Sequence, residues 1–184
     1  MKRLFVSVDL GGLSDEVRAV QRRLDGADGV RLTDPEQTHV TLKFLGGTDS
    51  GRVPEIVSAL ETAVADSGVG PFDAAVGGLG VFPSIDYISV VWVGVREGSE
   101  QLTALHEVIE DRMTAMGFDA EDHDFTPHAT IARMNHAGGK KLVQRVVEQS
   151  DPEVGRLRAS EIRLTESVLG EDGPVYTTVE EVPL

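Results

Sequence analysis

The chain has 184 residues, no cysteine, and 31 acidic against 17 basic side chains, for a formal net charge of −14. That length holds one sizeable domain or two small, intimately packed lobes and excludes two ordinary independent domains. The missing cysteines exclude disulfides, thiolate catalysis and the common structural zinc sites, and so acidic a balance excludes a protein that grips a long nucleic acid along a basic stripe. Any phosphate ligand must be held locally, by a few cationic and hydroxyl groups in a cleft.

Only four of the basic residues are lysines. A surface this acidic and lysine-poor reads as adaptation to high salt, where a Debye length of about 3 Å at 1 M screens the self-repulsion. The sequence has no apolar run long enough to span a bilayer and no basic-then-apolar leader after Met1, so a cytoplasmic protein without a membrane span is expected.

Along the chain, "RLFVSVDL" (3–10) alternates apolar and polar residues and predicts a strand, ended by Gly11-Gly12. A helix is predicted from Ser14, taken as its N-cap, with Val17, Val20 and Leu24 on the apolar face. "THVTLKFL" (38–45) predicts the next strand, and Pro54 in a first turn followed by Ile56, Val57, Leu60 and Val64 predicts a helix over 53–65. "FDAAVGGLGVF" (72–82) reads as a glycine-interrupted, bulged strand and "YISVVWVGV" (87–95) as a buried one.

The order then repeats: a helix over 99–116 with Leu102, Leu105, Ile109 and Met113 on one side, a strand over 126–133, and a helix over 140–148. "RLRASEIRLTESVL" and "VYTTVEEV" predict two final strands in a hairpin around Gly170 to Pro174. The strand segments "HVTL" and "HATI" place His39 and His128 89 positions apart, which points to a duplicated α+β unit with two lobes related by approximate two-fold symmetry.

Within a strand, residues i and i+2 share a face, so His39 projects with Thr41 and His128 with Thr130, opposite the apolar Val40, Leu42 and Phe44 or Ala129 and Ile131. If those polar faces meet across a cleft, two imidazoles and two hydroxyls surround one point. A neutral and a protonated imidazole form a general base and general acid for phosphoryl transfer, and the hydroxyls donate to non-bridging phosphate oxygens. Lys43 continues the first polar face and Arg133 ends the second motif, so both are candidate phosphate-binding cations; pure alternation puts Arg133 on the apolar side. Either motif alone fits an ordinary half-buried strand histidine, but the recurrence of both does not.

The remaining features ask for less. His106 falls on the apolar side of a predicted helix, His136 at a turn, and His123 in the acidic "DAEDHDF" loop. A metal set from His123, Asp124, His128 and His39 fits by residue type. It leaves the threonines unexplained and lacks a recognised ligand spacing, so no metal and no cofactor are expected. "GGLGVF" lacks the Lys-Ser/Thr ending of a phosphate loop, and Phe82 and Trp92 are read as core.

The paired motifs in a duplicated chain resemble the 2H phosphoesterase superfamily. Within it, "RLFVSVDL", "HVTLKFLG", "GLGVFPS" leading to "VVWVGV", and "GFDAEDHDFTPHATIAR" are similar to the RNA 2′,3′-cyclic phosphodiesterases long labelled 2′-5′ RNA ligases. The resemblance runs in order over nearly the whole chain. It implies a bilobal α+β fold over residues 1–184, two antiparallel sheets lining a central cleft with helices outside, and metal-independent opening of a 2′,3′-cyclic phosphate to a 2′-phosphate. It further implies His128 as the base that activates water, His39 as the acid that protonates the departing O3′, and Arg133 as the arginine frequent after the second motif. The departures are His123, where relatives often carry Arg, and "SIDYI" (84–88), which lacks a basic residue.

The expected protein is thus a monomeric phosphodiesterase acting on RNA ends or oligonucleotides that carry 2′,3′-cyclic phosphates. Two alternatives stand beside it: 2′-5′ ligation of RNA halves at the same site, with a ribose 2′-hydroxyl in place of water, and a non-catalytic binder of terminal phosphates. Against the binder, a permanently charged arginine would hold a phosphate better than an imidazole.

Overall fold

β-Branched and aliphatic residues draw Lys2–Asp9 (β1) into a strand whose Leu4, Val6 and Val8 are buried. The computed structural model describes residues 1–184. Gly11–Leu13 forms a short 3₁₀ turn that runs straight into helix α1, Ser14–Gln21. The N-cap position therefore falls on Leu13, and Ser14, expected as the cap, is already helical. A three-residue strand that periodicity does not reveal, Val30–Leu32 (β2), precedes the first motif strand, His39–Thr48 (β3).

Helix α2, Val53–Ser67, starts with Pro54 in its first turn and stops at Gly68, whose φ of 68° is the left-handed conformation that a helix end of this kind requires. Strands Phe72–Pro83 (β4) and Ile88–Glu97 (β5) follow, then helix α3, Ser99–Ala115, which buries the four predicted residues Leu102, Leu105, Ile109 and Met113. Truncating one of these, such as Leu105 to Ala, costs about 2–5 kcal/mol in a packed core. The second motif strand, His128–Met134 (β6), and helix α4, Lys140–Gln149, complete the repeat.

The segment predicted as one strand over 156–169 is two. Glu153–Ala159 (β7) and Glu161–Gly170 (β8) part at Ser160 and enter different sheets, and Gly173–Pro183 (β9) returns on β8 as the expected hairpin. One sheet has the order β3-β1-β8-β9 and the other β2-β6-β5-β4-β7, with antiparallel pairing throughout. Helices α2 and α3 pack together on the first sheet, through β9 and β3, whereas α1 and α4 pack on the second.

The two lobes are consequently not the two halves of the chain. The first lobe takes β1 and β3 from the beginning, α2 and α3 from the middle and β8 and β9 from the end, while α1 and β2 belong to the second. One contiguous apolar core runs behind both sheets. No helix is long and apolar enough to cross a membrane.

Candidate active site

The geometry of the site follows from two one-residue irregularities. In β3, Ser7 of β1 faces Thr41 while Val6 faces Lys43, so Leu42 is an extra residue, a β-bulge. In β6, Trp92 of β5 faces Thr130 while Val91 faces Ala132, so Ile131 is the extra residue at the equivalent position. An inserted residue reverses the alternation beyond it. His39 and Thr41 therefore share their face with Phe44, and His128 and Thr130 share theirs with Arg133.

This corrects the expectation for Lys43. The bulge turns its side chain to the core face, where it is 1% exposed; its Nζ lies 2.7 Å from Glu110 and 3.6 Å from Glu121 and donates to the Asp119 carbonyl at 2.6 Å. Burial would raise the Glu110 carboxyl, but hydrogen bonds from Lys43 and from the Glu121 backbone N–H outweigh it and hold the acid below the ordinary carboxylate value. A lysine so engaged is not available to a phosphate. Phe44, expected in the core, is instead 63% exposed. Arg133 gains what Lys43 loses: it is exposed on the histidine side and its charge reaches both His39 and His128.

The two imidazoles are oriented in the same way. Nδ1 of His39 donates to the Gln37 carbonyl at 2.8 Å and Nδ1 of His128 to the Thr126 carbonyl at 2.6 Å, in each case two residues upstream. A carbonyl only accepts, so each neutral ring carries its proton on Nδ1 and keeps a bare Nε2 for chemistry. Burial is the main influence on both and lowers both below the ordinary histidine value. For His39 the Gln37 carbonyl and the Asp9 carboxylate push back while His128 and Arg133 add to the lowering. For His128 the Thr126 carbonyl pushes back, and His123 and Arg133 add to the lowering.

Each ring sits in an aromatic socket. His39 lies 4.9 Å from Phe5 and meets Tyr176 edge-on at 5.1 Å; His128 meets Phe82 edge-on at 4.9 Å and lies 5.7 Å from Trp92. Phe82 and Trp92 are half-buried beside the second histidine and do not form part of the sealed core. The glycine run before them has a steric reason: a Cβ on Gly80 would stand 2.1 Å from the Trp92 ring. Gly80 thus gives the indole room to lie across its strand.

Several neighbours carry no sequence signature. Gln37 clamps the β8-β9 hairpin, its Nε2 donating to the Pro174 carbonyl and its Oε1 accepting from the Tyr176 N–H. Beside His39 a cavity of about 120 Å³ is lined by Ser7, Asp9, Thr165, Tyr176 and Arg163 among others. Arg163 is consumed by Asp9 at 3.2 Å, Glu161 at 2.9 Å and Glu181 at 3.6 Å. His123 pairs with Asp122 at 3.0 Å, which raises it above the ordinary value, and His136 accepts from the Gly138 N–H. No group of three or more His, Asp or Glu side chains is arranged to hold a metal ion.

The site thus joins two histidine-threonine pairs, an exposed arginine and two imidazoles of the same tautomer. The sequence profile of the 2′-5′ RNA ligase superfamily matches residues 10–171. The chain belongs to that superfamily, a group of 2H phosphoesterases. It is 39% identical to the RNA 2′,3′-cyclic phosphodiesterase of Methanothermobacter thermautotrophicus, over 97% of this chain and 96% of the relative. It is 36% identical to the enzyme of the same name from Aeropyrum pernix, over 83% and 85%. A crystal structure from Thermus thermophilus superposes with a TM-score of 0.81 at 25% identity, covering 99% of this chain and 97% of that one. Escherichia coli LigT, solved with 3′-AMP, shares the fold with a TM-score of 0.78 at 21% identity, covering 100% and 98%. The α+β architecture of two antiparallel sheets and four helices is shared with both of these solved structures.

Proposed function

We propose that the protein is an RNA 2′,3′-cyclic phosphodiesterase in which residues 1–184 work as one 2H phosphoesterase domain. His128 Nε2 takes a proton from the attacking water, whose oxygen bonds to phosphorus as the P–O3′ bond breaks. His39, protonated at Nε2, gives its proton to the departing O3′, and the product is a 2′-phosphate. Thr41 and Thr130 donate to the non-bridging oxygens and Arg133 compensates the charge that gathers there. No metal or cofactor enters this scheme, and Lys43 has no part in the chemistry.

The observation that carries the reading is the matched pair of histidines. Each is held by Nδ1 on a carbonyl two residues upstream, with a threonine two residues downstream on the same face. The curated relatives of the same name support the substrate class. Both half-sites come from one chain, which supports function as a monomer, and the charge of −14 supports a cytoplasm of high salt.

The test is incubation with a short RNA ending in 2′,3′-cyclic phosphate, in concentrated potassium chloride with EDTA, and identification of the new terminus. A 2′-phosphate is the expected product. A 3′-phosphate would reverse the leaving group, and activity abolished by EDTA and restored by a divalent ion would overturn the metal-free scheme.

A further inference from the structure

The segment that joins α3 to β6 delivers His128 to the cleft, yet the first lobe grips it along its length. Near its start, Arg52 donates to the Met116 carbonyl at 3.0 Å and its guanidinium stands 4.6 Å over the Phe118 ring. In the middle, Lys43 holds the Asp119 carbonyl and Glu121, while Glu110 of α3 pairs with Lys43 and accepts from the Glu121 N–H at 2.8 Å. At the far end, His106 Nδ1 donates to the Leu42 carbonyl at 2.7 Å and its ring stacks on Phe125 at 4.1 Å and 9°. The next residue is Thr126, whose carbonyl orients His128.

Two of these three attachments originate at the bulge of β3. Leu42 is the extra residue, and its carbonyl is the one that His106 takes up. Lys43 is the residue that the bulge turns inward, and a buried ammonium that loses its partners suffers heavy desolvation. The segment therefore cannot drift from the first lobe without taking the Asp119 carbonyl and Glu121 away from that buried charge and leaving it on Glu110 alone. At the equivalent position of β6 stands Ala132, so the second lobe holds the segment before His39 without a buried charge: the Ile131 carbonyl, at the bulge of β6, accepts from the Thr33 N–H and from Gln21 Nε2, both at 3.0 Å.

We infer that Lys43, through the bulge at Leu42, is a positioning residue that sets His128 opposite His39 by latching the 117–126 segment to the lobe that carries His39. The inference rests on the reading of His39 and His128 as the acid and base. It assigns the lysine of "HVTLKF" to alignment between the lobes, with no contact to substrate.

The test uses the full chain with Lys43→Met, which keeps the apolar stem, and Glu121→Gln, which weakens the latch on its half-exposed side and leaves Glu110 in place. Amide hydrogen exchange over 119–126, at Glu121 above all, is expected to accelerate at least about tenfold in Lys43→Met, while the β4 amides are unchanged. The His128 imidazole signal is expected to titrate closer to the ordinary value, with His39 unmoved. On an RNA 2′,3′-cyclic phosphate, kcat is expected to fall about tenfold with KM within about threefold, because misplacement acts on the reacting geometry and leaves binding intact. Glu121→Gln moves the same readouts less, and carries the test alone if Lys43→Met does not fold. Unchanged exchange over 119–126, or a loosened segment with unchanged His128 titration and kcat, overturns the inference. Exchange and titration need no turnover, so a wild-type protein inactive on this substrate would sink the phosphodiesterase reading and leave the latch separately decided.

Discussion

Strands β3 and β6 each carry a histidine, a threonine two residues on and an extra residue directly after that, yet Lys43 and Phe44 follow in one and Ala132 and Arg133 in the other. Each strand thus has one cation just past its bulge, one position out of step with its counterpart. That single step sends Lys43 inward onto Glu110 and Glu121 and turns Arg133 to the exposed face that bears the histidine. The comparison teaches that a motif pair need not be equivalent in its parts. On the proposed reading the shared residues carry the chemistry, while of the residues that differ Lys43 ties the lobes through a buried charge and Arg133 brings a cation to the histidines.

The sharpest way to break the comparison is at the shared residues. His39→Ala and His128→Ala should each lower kcat by at least about 10²-fold with the fold intact, measured as single-turnover rates on an RNA 2′,3′-cyclic phosphate. A tenfold disparity in favour of one would make the halves unequal in chemistry as well as in support. At the residues that differ, Arg133→Met should cost about tenfold in kcat/KM and Arg133→Lys should restore part of it, because one cation in the cleft answers the phosphate charge. Thr41→Val and Thr130→Val should each cost a few-fold, about 1 kcal/mol for a single neutral hydrogen bond, and to similar extents.

The pH profile sharpens the comparison further. Burial lowers both histidines in the free protein, so the protonated acid is lost as pH rises through values below about 6.5, and kcat/KM should peak there. A bound phosphate anion favours the imidazolium, so the kcat optimum should lie at higher pH than that of kcat/KM. The sign for stability is the same: the unfolded chain takes up protons that the folded histidines refuse, so stability should rise with pH through the window below about 6.5. Urea titrations at pH 5 and 7 with both histidines replaced by Asn should show a shallower rise.

Much of this was legible from residue patterns. The apolar stripe of α3, Pro54 at the start of α2, and the two motif strands follow from periodicity and start signals, because the forces that set them are local. His39 and His128 were legible because the polar pair repeats. The bulges were not, since period-two reading assumes none, and three placements, Lys43 outward, Phe44 inward and Arg133 on the apolar side, descend from that assumption. The carbonyls of Gln37 and Thr126 were invisible because any residue supplies one. The break at Ser160 was hidden because both of its flanks alternate as strand, and only tertiary packing decides that Ala159 and Ile162 belong to different sheets.

That break has a consequence for how the protein is made. Strand β1 lies between β3 and β8, and β8 brings β9 with it, so the sheet that bears His39 is a bare two-stranded ribbon until residues 161–183 have left the ribosome. Such a ribbon is marginal by itself in water. The second sheet, completed by residue 159, has all its strands earlier. Synthesis therefore yields a chain whose His128 side can form first, and whose pair of histidine-bearing sheets stays incomplete until residues 161–183 join β1.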